Sequence, residues 1–144
     1  MSLYETDFYS WTQQQAQLLR AGNWTALDRD NLAEEIETIG RQEREQLTNR
    51  FGILLGHLLK WQYQPERRSN SWRATIKDQR TRIDRLLKQN PSLKPYLVEA
   101  FAEGYEDAIN LAVSETELPE TTFPATCPYA IEQALDRGFL PDAQ

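Results

Sequence analysis

The residues best equipped for chemistry gather between His57 and Lys77. The chain's one histidine stands there with Trp61, Tyr63 and Trp72, among the bases Lys60, Arg67, Arg68, Arg73 and Lys77. Cations of this kind neutralise phosphates, and aromatic faces stack on unpaired bases. Trp, Tyr and Arg are also the residue types that dominate protein-binding hot spots. With Arg80 added from the same flank of the following helix, the candidate binding surface comprises Lys60, Trp61, Tyr63, Arg67, Arg68, Trp72, Arg73, Lys77 and Arg80. A plainer use of the charges competes with this reading. Arg80, Asp84 and Lys88 are spaced for pairing one turn apart, and Trp61 and Trp72 are large enough to serve as core.

His57 is the candidate polar site, because imidazole changes charge near neutral pH. A dimetal site in a helical bundle wants Glu-x-x-His pairs, but the residue three before His57 is Leu54, and the sequence holds no second histidine. Neither a metal nor a cofactor is expected. On a helical wheel His57 aligns with Glu43, Arg50 and Trp61 at the edge of an apolar face, which suits a hydrogen-bonded structural histidine. Cys127 is the sole cysteine and precedes Pro128. A nucleophile there would need an oriented base, so a small buried residue or cap is the simpler reading. Glycine-rich phosphate loops, zinc spacings and Ser-His-Asp order are all missing from the sequence.

Charge is distributed unevenly. Lys60 to Lys88 holds nine bases against Glu66, Asp78 and Asp84, a balance of +6, so the rest of the chain carries −12 to reach the net −6. An acidic total disfavours nucleic acid, whereas the basic segment 60–88 keeps it as an alternative. One cysteine permits no internal disulfide, which fits a reducing compartment. The first eight residues include Glu5 and Asp7 and lack a basic run, so no signal peptide is expected. The expected address is the cytoplasm.

The elements that must position these residues are helical. Asp7 caps a pattern of Phe8, Trp11, Gln15, Leu18 and Leu19, and Gly22 stops it, predicting a helix over 8–21. A second helical stretch runs from Asp28 or Asp30 to Gln64. Its apolar stripe shifts from Leu32, Ile36 and Ile39 to Leu47, Phe51, Leu54, Leu55 and Leu58, so a bend or a break is expected at Gly40. Gly52 and Gly56 would let another helix approach closely. Ser69 to Ser71 offer caps for a helix carrying Trp72, Ile76, Ile83, Leu86 and Leu87, closed by Asn90-Pro91. A further helix buries Leu93, Leu97, Phe101, Tyr105, Ala108, Leu111 and Ala112. After Leu118, Pro119, Pro124, Pro128 and Pro141 predict an extended strap with one short helix over about 128–137. Together these readings give an all-α, antiparallel helical bundle of about four to five helices. It forms one domain over 1–144, with the bundle over 7–117 and a Pro-rich, partly extended segment over 118–144.

The sequence resembles the bacterial proteins grouped as domain of unknown function 29, over nearly its whole length. Tyr4-Glu-Thr-Asp-Phe-Tyr-Ser-Trp11, Asn31-Leu-Ala-Glu-Glu-Ile36 and His57-Leu-Leu-Lys-Trp-Gln-Tyr-Gln-Pro-Glu-Arg-Arg68 with Ser71-Trp72 carry the resemblance. Asn90-Pro-Ser-Leu93, Tyr105-Glu-Asp-Ala108 and Cys127-Pro-Tyr129 complete it. It implies an α-helical fold and supplies no activity, cofactor or catalytic residue. The function expected from the residues themselves is a non-catalytic cytoplasmic module that binds another protein, or itself, through the Trp61 to Arg85 region. The alternatives are a nucleic-acid-associated regulator using the basic segment, and an unfamiliar hydrolase-like or metal-dependent enzyme centred on His57. No membrane association is expected.

Overall fold

A computed structural model describes residues 1–143. It is all-α, with six α-helices, four of them long, and no strand among the described residues. The helices are α1 (Leu3–Thr6), α2 (Phe8–Ala21), α3 (Arg29–Tyr63), α4 (Asn70–Gln89), α5 (Leu97–Thr116) and α6 (Ile131–Leu135). Short 3₁₀ turns lie at Trp24–Ala26, Pro65–Arg67, Pro91–Tyr96 and Glu120–Thr122.

The helix ends are set by local chemistry. Asp7 accepts from Ser10 N at 3.1 Å to open α2, and Gly22, at φ 71°, closes it in the left-handed conformation. Ser69 Oγ accepts from Trp72 N at 3.2 Å to open α4, and Asn90 Nδ2 donates back to Leu86 O at 3.1 Å where it ends. Pro91 and Pro95 turn the chain through six residues of 3₁₀ helix before α5 starts. The last helix is shorter than the sequence suggests, because Asp136 breaks into extended geometry at φ −71°, ψ 120°.

Gly40 does not divide α3, which is helical from Arg29 to Tyr63. A helix-interior glycine costs about 1 kcal/mol, too little to end a helix that continues through Glu34, Glu35 and Glu37 on one side and Arg41, Gln42 and Glu43 on the other. The shift of apolar stripe has another meaning. The chain divides into two compact units, Met1–Arg41 and Gln42–Gln144, and the stripe changes at that division.

In the first unit, α2 and the start of α3 form a hairpin around Trp11. Trp11 Nε1 donates to Asp28 Oδ2 at 3.0 Å, Gln15 Oε1 accepts from Asp28 N at 2.9 Å, and the Tyr4 hydroxyl donates to Glu35. Tyr4 and Phe8 pack their rings on Trp11. Asp28, which also accepts from Asn31 Nδ2, is held below the usual carboxylate range by Asn31 first and Trp11 second.

In the second unit, α3, α4 and α5 run up, down and up. Asn90 reaches Glu43 and Lys60 reaches Trp72, so α4 is antiparallel to α3. The ion pairs Arg44–Glu99 and Lys60–Glu115 rise together along both helices, so α5 is parallel to α3. These two helices meet on small residues. Ala100, Gly104, Ala108 and Ala112, four apart, form a buried stripe on α5. A Cβ on Gly104 would lie 2.7 Å from Phe51 Cβ and 3.1 Å from Thr48 O, and one on Gly52 would lie 3.1 Å from Asp107 Cβ. The close approach foreshadowed by Gly52 and Gly56 is thus made by α5. Phe51, Leu54, Leu55, Leu58, Ile76, Ile83 and Phe101 fill the core.

Candidate functional site

The segment that the sequence singles out lies in the second unit, where the end of α3 meets the start of α4. Much of it turns inward. Trp61 is buried, and the guanidinium groups of Arg68 and Arg73 each lie 4.8 Å from its ring centroid. Arg68 also donates from Nε to Trp61 O at 2.8 Å, and its Nη2 is buried without a partner. Lys60 is buried too. Its Nζ pairs with Glu115 Oε1 at 3.0 Å and lies 4.5 Å from the Trp72 ring centroid. Trp72 and Tyr63 are half-buried against the core, with Tyr63 edge-on to Phe123. Arg67, Arg73 and Lys77 remain exposed.

Arg80 corrects the surface most clearly. It is only 4% exposed, and its guanidinium donates to three carbonyls of the C-terminal segment: Ala134 and Phe139 at 2.7 Å and Arg137 at 3.4 Å. Burial pushes its pKa down. Arg80 therefore clamps the chain that follows α6. Elsewhere on α4, Arg82 pairs with Asp78 and Lys88 with Asp84, one turn apart, so part of the basic segment is neutralised within its own helix.

His57 is also largely buried. Its Nδ1 lies 2.9 Å from Ile53 O, and since a carbonyl can only accept, that nitrogen carries the proton. Burial first, and the nearby Lys60 charge after it, hold the imidazole below its ordinary pKa. The neighbouring carboxylate, Glu115, is taken by Lys60. Burial likewise raises the Cys127 thiol. Among the described residues, no group of three or more His, Cys, Asp and Glu side chains could hold a metal ion, and no helix is long and apolar enough to cross a membrane.

Two features escaped the sequence reading. The first is a cleft of about 350 Å³ in the second unit, lined by Arg73, Lys77, Arg80, Arg137, Gly138 and Leu140. Arg137 was not legible as a member, since it comes from the far end of the chain. The second is in the first unit. Of ten exposed large hydrophobic residues among the described ones, eight fall within its 41 residues: Met1, Leu3, Phe8, Tyr9, Leu19, Trp24, Ile36 and Ile39. The Leu32, Ile36, Ile39 stripe was visible in the sequence, but the exposure of Ile36 and Ile39 was not.

The family described as Domain of unknown function DUF29 matches residues 3–140. The chain belongs to that family. No curated protein and no solved structure matches it. Family segments named above supply many of the fold's internal bonds. Tyr4 and Glu35 bond each other, and Asn31 helps hold Asp28. Arg68 closes on Trp61, the Tyr105 hydroxyl donates to Pro124 O at 2.5 Å, and the Tyr129 hydroxyl donates to Gln62 Oε1 at 2.6 Å. Their chemistry here is that of holding helices and the C-terminal segment in place.

Proposed function

We propose that the protein is a non-catalytic, cytoplasmic interaction module, and that its first unit is the part that binds. The concentration of exposed apolar side chains in that unit carries the reading. Ile36 and Ile39 are 67% and 59% exposed, and Trp24 is 66% exposed. Scattered surface hydrophobics are ordinary, but eight in a unit of 41 residues is a concentration of the kind that marks binding surfaces. A unit of this size also buries little on its own. Chains below about 40 residues usually need oligomerisation or another support, and here only Trp11 and Gln15 are buried in α2.

The charge of the unit selects the partner. Seven acids stand against three bases in residues 1–41, a net of −4, with Asp28, Asp30, Glu34, Glu35 and Glu37 close together. A second copy of the same unit would meet like charge. The partner is therefore a protein surface, most simply a helix, that is apolar with basic margins. The non-catalytic part of the reading is supported by the bond from His57 to Ile53 and by the protonated state that burial gives Cys127.

The test uses the full chain and two labelled amphipathic peptides, one leucine-lysine and one leucine-glutamate, followed by fluorescence anisotropy. Binding of the lysine peptide, lost in an Ile36→Ser/Ile39→Ser variant, is the expected result. Equal binding of the glutamate peptide, or undiminished binding by the variant, overturns the proposal. So does self-association that the same variant abolishes, which would make a second copy the occupant.

A further inference from the structure

We propose that the cleft between α4 and the C-terminal segment is a binding site for a small phosphate-class oxyanion. Four of its six lining residues are cationic, and none is acidic. Its volume of about 350 Å³ lies within the range of small-molecule sites, roughly 300–1,000 Å³. Arg73 and Lys77 lie one turn apart on α4, so their heads share a flank of the helix. Arg137 enters from beyond α6.

Two of the three outer cations are held in place. Arg73 is stacked on Trp61, and Arg137 Nη1 donates to Thr81 Oγ1 at 3.2 Å. Neither of them, nor Lys77, forms an ion pair with a described carboxylate. Beneath them lies the buried charge of Arg80. Its three carbonyl partners satisfy its donors without cancelling its charge. The carboxylate that acts on it is Asp136, whose Oδ1 is occupied by Gly138 N at 3.0 Å. A buried charge offset only by a carboxylate beyond ion-pair distance is costly, and an incoming anion relieves that cost. Guanidinium groups bind phosphate oxygens in bidentate fashion, and a lysine serves as a mobile point charge. This site is independent of the surface proposed on the first unit.

Isothermal titration of the full chain with inorganic phosphate and with pyrophosphate, at low ionic strength, tests the assignment. Saturable binding at one site per chain is expected, and tighter binding of the more highly charged pyrophosphate. Lys77→Gln, at an exposed position, should weaken pyrophosphate by about tenfold, the loss of one charge-assisted contact. Arg73→Gln, checked for folding by circular dichroism, should do the same. Arg82→Gln, outside the cleft, should leave binding unchanged. Absence of saturable binding by both anions, or equal weakening by Arg82→Gln, overturns the proposal. So does a single-stranded oligonucleotide that binds the chain at anion concentrations where pyrophosphate does not, since the site would then read a polymer backbone.

Discussion

Replacing Gly104 by alanine should destabilise the second unit, although alanine is the better helix former. A Cβ at this position would sit 2.7 Å from Phe51 Cβ, 3.1 Å from Gly52 N and 3.1 Å from Thr48 O. Carbon atoms prefer separations of about 3.5–4.0 Å, so α3 and α5 would have to part by roughly 1 Å along their contact. The obstructing atoms are backbone, or fixed to it, and cannot rotate away. Overpacking of this kind costs about 1–3 kcal/mol, and helix propensity returns at most about 1 kcal/mol. Because the obstacles are fixed, the upper part of that range, about 2–3 kcal/mol, applies, and the net expectation is a loss of roughly 1–2 kcal/mol. Two glycines serve as internal controls. At Gly56 the obstacle at 2.7 Å is Leu111 Cδ2, the end of a half-buried side chain that can turn, so alanine there should be close to neutral. At Gly40 nothing lies within 4 Å, so alanine should stabilise the helix by about 0.5–1 kcal/mol. Urea unfolding followed by far-UV circular dichroism ranks the three. A Gly104→Ala protein as stable as the parent, with unchanged helix content, would refute the reasoning.

The remaining predictions concern two buried side chains. His57 has a folded pKa below its unfolded value near 6.5, so the unfolded chain binds the extra proton. Its contribution is fully present above pH 6.5 and is lost as pH falls through that value towards the folded pKa. His57→Gln should flatten stability against pH over that window, and an unchanged slope in denaturation midpoints would show that the imidazole is not buried as described. Arg80→Met should cost about 2–4 kcal/mol, because it removes charge-assisted bonds to three carbonyls. Hydrogen exchange should then rise first in residues 134–140, and uniform exchange across α4 and the C-terminal segment would contradict the clamp.

The legible part of this protein is the part written within a turn or two of chain. Asp7, Gly22, Ser69 and Asn90-Pro91 mark helix ends because a cap bonds backbone groups three or four residues away. The structure places those ends where the residues do. The break expected at Gly40 is absent because a single glycine weakens a helix without ending it. The signal beside it, the displaced apolar stripe, reports a division between compact units. At the candidate surface, composition identified Trp61, Arg68 and Arg73 but not what they do. An aromatic beside cations has the same sequence signature whether it faces a ligand or a neighbouring side chain.

By itself, then, the sequence determined the helical class, the main breaks, the separation of charge and the room for a close helix contact at Gly52 and Gly56. Each depends on periodicity, capping or side-chain volume, which act locally. Tertiary structure alone decided that α5 makes that contact in parallel with α3, and that Lys60 is neutralised by Glu115, 55 residues away. It also decided that Arg80 serves carbonyls 54 to 59 residues further on, leaving Arg73, Lys77 and Arg137 around one cleft. These outcomes turn on where the chain returns, and burial there changes a cation from a surface charge into a structural clamp.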